Sequence, residues 1–183
     1  MMALRIAPGS MRSFAFEKLP DYDAGLWKSI STAARAAREP IRPLQIYGSD
    51  LYGEQLKLAK GNLTAAGLSD AVTLKQANVL ELPCPASSGV LVTNPPYGVR
   101  IGEQQSLAGF YPKLGDALKA KYAGWSVWMF TADMRLPKLI GLKPSRRIPL
   151  YNGALECRLY WFEIVAGAMR KKVKSEGSVK GHG

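Results

Sequence analysis

Cysteine and histidine are nearly missing from this sequence: Cys84 and Cys157 are its two thiols and His182 its one imidazole. Two cysteines that far apart suggest neither a disulfide framework nor a metal knuckle, so no metal site is expected and a reducing cytoplasm suits the chain. Long apolar runs are absent too; none approaches the roughly 18 uncharged residues of a membrane span. Pro8 and Gly9 end the short apolar opening before a signal-peptide core could form. A glycine-rich dinucleotide loop is also missing, since the one G-x-G is Gly181 to Gly183, and this disfavours a nicotinamide oxidoreductase. Acids are scarce, 14 against 25 Lys and Arg.

What remains is a composition of 47% hydrophobic residues over 183 positions, enough for one soluble domain with a real core. The net charge of +11 favours a polyanionic partner, with nucleic acid first. Arg135, Lys138, Lys143, Arg146 and Arg147 fall in a stretch without an acid, and Arg170, Lys171, Lys172, Lys174 and Lys180 crowd the end. The same charges can also be solvated surface plus a disordered basic tail.

The spacing predicts a helix over 21–39, capped by Asp21 or Asp23 and ended by Pro40. An apolar strand over 44–47 runs into Gly48, Ser49 and Asp50, and a helix over 54–66 stops at Gly67. Short strands follow at 72–76 and 90–93, then a helix over 107–122 and a buried strand over 125–131. A short helix over 134–140 precedes two strands, 147–151 and 158–165, joined through Asn152 and Gly153. Alternating strands and helices imply an α/β domain with a mostly parallel sheet and one antiparallel strand at its end.

Two places carry chemistry. Asp50 stands at the carboxyl end of the first strand, where open parallel sheets present side chains to a ligand crevice, and a carboxylate there can accept from both hydroxyls of a ribose. Asn78, past the next strand, can meet an adenine edge. Equally, Asp50 can cap a helix and Asn78 can be a turn residue. The second place is Asn94-Pro95-Pro96-Tyr97, directly after the strand at 90–93. Each proline fixes its own backbone and holds the preceding residue extended, so the loop is stiff before any ligand arrives. It offers two fixed acceptors, the Asn94 side-chain oxygen and the Pro95 carbonyl, and an aromatic face from Tyr97. Such a set suits an exocyclic amine on a planar base, because gripping both amine hydrogens draws the nitrogen toward a tetrahedral, nucleophilic shape. A plain proline-rich turn is the bland alternative.

Asn94 to Tyr97 resembles the motif of S-adenosylmethionine-dependent amino-group methyltransferases. With Gly48-Ser49-Asp50, the stretch Val72 to Leu82 and Asn152-Gly153-Ala154-Leu155-Glu156-Cys157, the chain from Met1 to about Val165 resembles the large-subunit ribosomal RNA guanine-N2 methyltransferases. These carry an RNA-binding THUMP domain ahead of the catalytic one. The resemblance implies a Rossmann-like class I methyltransferase sheet and S-adenosylmethionine as cofactor. It also implies Asp50 and Leu51 at the cofactor ribose, Asn78 and Val79 at its adenine, and Asn94, Pro95, Pro96 and Tyr97 around the base to be methylated. Ribosomal RNA would be the partner, with no membrane involved. The chain departs from the family in having Asn where Asp is usual at position 78, and Val99 before Arg100 in place of Glu then Arg. It also lacks the family's first strand and glycine-rich loop, so it is expected to start inside the domain. Residues 1–168 would be a partial catalytic domain, with N-terminal helices over 1–43 and the sheet core over 44–168, and 169–183 a basic, disordered tail. The alternatives are an N6-adenine methyltransferase on DNA or RNA, and a non-catalytic domain that binds RNA or a partner.

Overall fold

A computed structural model describes residues 1–9, 12–96 and 103–165, so Tyr97 and the basic tail over 169–183 lie outside the described residues. The chain divides into two compact units between Leu82 and Pro83.

The first unit opens with short 3-10 turns, Met2–Leu4 and Ala15–Lys18, followed by α1 (Ala24–Ala36). Of the two candidate caps, Asp23 is the one used, its carboxylate accepting the Leu26 N–H at 2.8 Å and satisfying a donor of the first turn. Strand β1 (Tyr47–Asp50), helix α2 (Gly53–Ala65) and strand β2 (Thr73–Gln76) complete the unit, with β1 and β2 parallel from Tyr47 opposite Thr73 to Asp50 opposite Gln76. The strand expected over 44–47 therefore runs on through Gly48 and Ser49. Gly48 serves close packing there, since a β-carbon would fall 2.7 Å from the Leu74 side chain. Gly67, at φ +65°, ends α2 in the left-handed conformation that glycine adopts without cost. Leu4, Ile6, Leu68 and Ala71 form the buried centre, with Leu44, Leu63, Ala66 and Val72 packed around them.

The second unit contains β3 (Gly89–Thr93), α3 (Glu103–Lys121), β4 (Trp125–Thr131), α4 (Leu136–Leu139), β5 (Arg146–Asn152) and β6 (Leu155–Glu163). Its strand order is β3-β4-β6-β5, with β3 parallel to β4 and β6 antiparallel to both neighbours. The one antiparallel strand expected from the late hairpin is β6, which inserts between β4 and β5. The hairpin turn falls on Gly153 and Ala154, one residue later than expected, with Gly153 at φ +60°.

Strand β4 differs from its expected form. Trp125, Val127, Met129 and Thr131 are buried, but the alternate residues are half-buried, so one face of the strand is covered fully and the other in part. On the partly covered face Trp128 stacks on Trp161, ring centres 5.6 Å apart. On the buried face Val127 and Met129 lie beside Phe162 and Tyr160 of β6, and Tyr111, Leu114 and Leu118 of α3 are buried with them. Each large apolar side chain removed from water there contributes about 1.5–3 kcal/mol. Among the described residues β1 pairs only with β2, and β3 only with β4. Among them, too, no helix is long and apolar enough to cross a membrane.

Candidate functional site

In the first unit, β1 and β2 bring Asp50, Leu51, Asn78 and Val79 to one end of a parallel pair. The Ala77 N–H donates to the Asp50 carbonyl at 3.0 Å, and the Gln76 side-chain amide donates to the Leu51 carbonyl at 3.0 Å. Backbone and side chain thus tie the two strand ends into one rim. Asp50 Oδ1 accepts the Tyr52 N–H at 2.8 Å, which stiffens the turn into α2, while Oδ2 has no partner among the described residues. One oxygen of the half-buried carboxylate is thus able to accept from a hydroxyl.

Asn78 is bound into its own turn. Its Oδ1 accepts the Leu80 N–H at 3.0 Å and its Nδ2 donates to Glu81 Oε1 at 3.2 Å. Both ends of the amide are engaged, so the turn that its residue type allows is the arrangement present. The neighbouring Val79 N–H has no partner among the described residues, and the Leu51 side chain is exposed. A free carboxylate oxygen, a free backbone donor and an apolar side chain fit the ribose and base of an adenosine.

In the second unit, the loop after β3 starts with an exposed Asn94, a buried Pro95 and an exposed Pro96. Among the described residues neither the Asn94 carboxamide nor the Pro95 carbonyl has a hydrogen-bond partner. The Pro96 carbonyl does: the Tyr111 hydroxyl donates to it at 2.6 Å from α3. Tyr111 is fully buried, and the buried Thr131 hydroxyl at the end of β4 lies beside its phenol. Thr131 Oγ1 also accepts the Asp133 N–H at 3.0 Å. Burial, aided by the Asp133 charge, pushes the Tyr111 hydroxyl up to about 12, although the Thr131 hydroxyl and Arg135 favour the phenolate. Tyr111 is therefore a neutral donor throughout the physiological range. It clamps the third residue of the loop, while the acceptors of the first two have no partner among the described residues.

Arg135 accounts for one of the cations expected to face a polyanion. Its guanidinium makes two 2.9 Å bonds to Asp133, a bidentate pair that holds the Asp133 carboxyl below its usual range despite partial burial. That cation is committed to its own turn. Tyr111, Thr131 and Asp133 were not among the residues singled out from sequence. Tyr111 fits the apolar stripe Leu107, Phe110, Tyr111, Leu114 and Leu118 as core, and the partner of its hydroxyl lies 15 residues upstream.

Tyr111→Phe removes the donor and keeps the ring. The variant should lose about 1 kcal/mol of stability, read from the urea midpoint, for one net hydrogen bond. An unchanged midpoint would count against the clamp. The pH dependence has a definite sign. The folded-state value lies above the ordinary tyrosine value of 10.0, so this stabilisation is full below pH 10 and is lost as pH climbs through about 12.

Residues 1–160 match the RMKL-like, methyltransferase domain family. A relative from Shewanella amazonensis, named Ribosomal RNA large subunit methyltransferase K/L, is 37% identical over 185 residues, covering 99% of this chain and 26% of its own length. The crystal structure of SMU.472 complexed with SAH superposes at a TM-score of 0.81 with 31% identity, over 93% of this chain and 44% of that one. A predicted N6-adenine-specific DNA methylase from Listeria monocytogenes superposes at 0.76 with 28% identity, over 88% of this chain and 41% of that one. The chain spans 26% to 43% of the length of the first curated relatives it matches.

Proposed function

Because the chain belongs to the RMKL-like, methyltransferase domain family, we propose that it methylates RNA, at the exocyclic N2 amine of a guanine in large-subunit ribosomal RNA. The observation that carries this reading is the loop after β3. Two consecutive acceptors, the Asn94 carboxamide and the Pro95 carbonyl, are free among the described residues, and the third, on Pro96, is fastened to Tyr111. A planar amine has two hydrogens, and the loop has two free acceptors in a backbone that prolines hold rigid. The exposed Asn94 oxygen takes one hydrogen and the Pro95 carbonyl the other, which concentrates the nitrogen lone pair on the face turned away from the loop. Because the acceptors are in place before the base arrives, little reorganisation is needed as charge develops on the nitrogen. Tyr97 would supply the aromatic face against the base.

The methyl donor we assign is S-adenosylmethionine, which when bound supplies an electrophilic methyl group on a sulfonium. This assignment is supported by the SAH complex of SMU.472 and by the rim of the first unit. There the free Asp50 oxygen would accept from a ribose hydroxyl, the Val79 N–H would donate to an adenine ring nitrogen, and Leu51 would cover the base. Asn78 would act by holding Val79 in place through its two turn bonds. The choice of guanine rests on the Asn152 to Cys157 resemblance, and that of large-subunit ribosomal RNA on the name of the Shewanella relative.

The name of the Listeria neighbour favours the amine of adenine, which the loop would grip equally well. The deciding experiment incubates the chain with unmodified large-subunit ribosomal RNA and labelled S-adenosylmethionine, digests the RNA to nucleosides and separates them by mass. N2-methylguanosine is the expected product. N6-methyladenosine would move the assignment to adenine, and no labelled nucleoside would leave RNA binding without transfer.

A further inference from the structure

The first unit contains a cleft of about 450 Å³ away from the ends of β1 and β2, between α1 and the segment that precedes it. Its origin is local. Trp27, Ile30, Ala34 and Arg35 recur at helical spacing and line one face of α1, Arg38 follows just past its end, and residues of 6–9 and 12–17 form the opposite wall. None of the α1 residues is fully buried. Phe14 and Phe16 lie 5.4 Å apart in a stacked pair, and both present themselves edgewise to Trp27, at 5.5 Å and 5.0 Å. The Arg12 guanidinium sits 5.1 Å above the Phe14 ring. The cleft thus has an aromatic interior with half of the Ile30 side chain left open to solvent.

Its charges are unbalanced. Arg12, Arg35 and Arg38 line it, and none has a carboxylate partner among the described residues; Arg146 and Arg147 also have none, whereas Arg5 and Arg42 pair with Glu39, Arg135 with Asp133 and Arg158 with Glu156. The one acid of the lining, Glu17, is turned inward and accepts the Phe14 N–H at 2.7 Å. Three exposed guanidinium groups border the aromatic rings without a carboxylate to neutralise them among the described residues, and the volume lies in the range of ligand clefts.

We infer that this cleft is a second contact for single-stranded RNA, taking a base among Phe14, Trp27 and Ile30 and the adjoining phosphates on Arg12, Arg35 and Arg38. Aromatic and guanidinium planes accept any base by stacking, and arginines along the opening follow the backbone, the combination by which proteins hold unpaired nucleotides without choosing sequence. An acidic peptide would satisfy the arginines but would leave the rings unused. The inference rests on the reading of the substrate as RNA and adds a holding site distinct from the loop that grips the amine.

The test uses the full chain and a fluorescein-labelled 12-nucleotide single-stranded RNA, with anisotropy titrations between 50 and 200 mM salt. Arg35→Ala/Arg38→Ala should weaken binding roughly 10-fold and flatten the plot of log affinity against log salt by roughly 1.4, about 0.7 for each phosphate no longer neutralised. Trp27→Leu should weaken binding roughly 5- to 150-fold with the salt slope unchanged, because stacking releases no counterions. The arginines are exposed, so the double variant keeps the proposal testable even if Trp27→Leu does not fold. SAH affinity should be the same in all variants. Parent-like RNA binding by the double variant overturns the inference, as does a parent chain that binds no RNA. A folded Trp27→Leu that binds like the parent overturns the stacking half, as does a parent that takes an acidic 12-residue peptide as tightly as RNA. The methyl-transfer assay separates this inference from the proposed function. Variant-sensitive RNA binding without transfer sustains the cleft and sinks the transferase, and transfer with variant-insensitive binding does the reverse.

Discussion

Asn94→Ala is expected to lower methyl transfer roughly 100-fold or more while SAH affinity stays within about twofold, the scale on which losing one preorganised hydrogen-bonding group acts at a reacting centre. Asn94 is exposed and its side chain has no partner among the described residues, so the variant should be as stable as the parent. Asn94→Asp keeps an acceptor at the same place and should retain more activity than alanine. Asp50→Ala should show the opposite split. Its free oxygen is assigned to a ribose hydroxyl, and a hydrogen bond to a charged group is worth about 1.5–3 kcal/mol, so SAH affinity should fall about 10- to 150-fold. Radiolabel transfer and calorimetric titration of SAH on the same preparations read both effects. Equal turnover in Asn94→Ala and parent would remove the loop from the chemistry. Unchanged SAH affinity in Asp50→Ala would remove Asp50 from the cofactor site.

The features legible in the sequence are those whose causes are local. The run from Trp125 to Thr131 is dense in aromatic and β-branched residues and forms a strand over those same residues. Asp23 caps the helix it precedes, and Gly67 and Gly153 sit at positive φ where the pattern implied a stop and a turn. The features that sequence concealed depend on residues distant along the chain. Gly48 and Ser49 look like a turn by composition, yet Gly48 is set in a strand by Leu74 across the pair. Helix α3 begins at Glu103, ahead of the first apolar repeat, and carries Pro112 in its interior. Arg135 looks free for phosphate in the sequence, but the acid that neutralises it lies two residues earlier, outside the basic stretch. Asn94 and its prolines are readable because stiffness is local, whereas the hydroxyl that anchors them belongs to another element. The cleft beside α1 is hidden for a similar reason: Phe14 and Trp27 belong to different turns of chain, and only folding sets their rings at 5.5 Å.

Gly115→Ala should be among the most damaging single substitutions in the second unit, and Gly109→Ala on the same helix should be harmless. Both glycines are interior to α3, where alanine ordinarily stabilises a helix by up to about 1 kcal/mol. At Gly109 an added β-carbon meets open space, so the ordinary gain should appear. At Gly115 it would land on the backbone carbonyl of Ile140, far inside van der Waals contact. A backbone oxygen at the end of α4 cannot swing aside as a side chain would, so the two helices must part. Leu114, Leu118, Leu136 and Ile140 are all nearly fully buried, and their packing would loosen together. The expected cost is about 3 kcal/mol, at the upper end of overpacking penalties, set against the small propensity gain. Urea denaturation of the two variants beside the parent reads the contrast directly, and two midpoints shifted upward alike would show that the helices do not approach so closely. Function should suffer out of proportion to stability. Tyr111 lies one turn before Gly115 on α3, and its hydroxyl reaches the Pro96 carbonyl at 2.6 Å. Lifting the helix draws that donor away and loosens the backbone that fixes Asn94 and Pro95, so transfer should fall even at temperatures where Gly115→Ala remains folded.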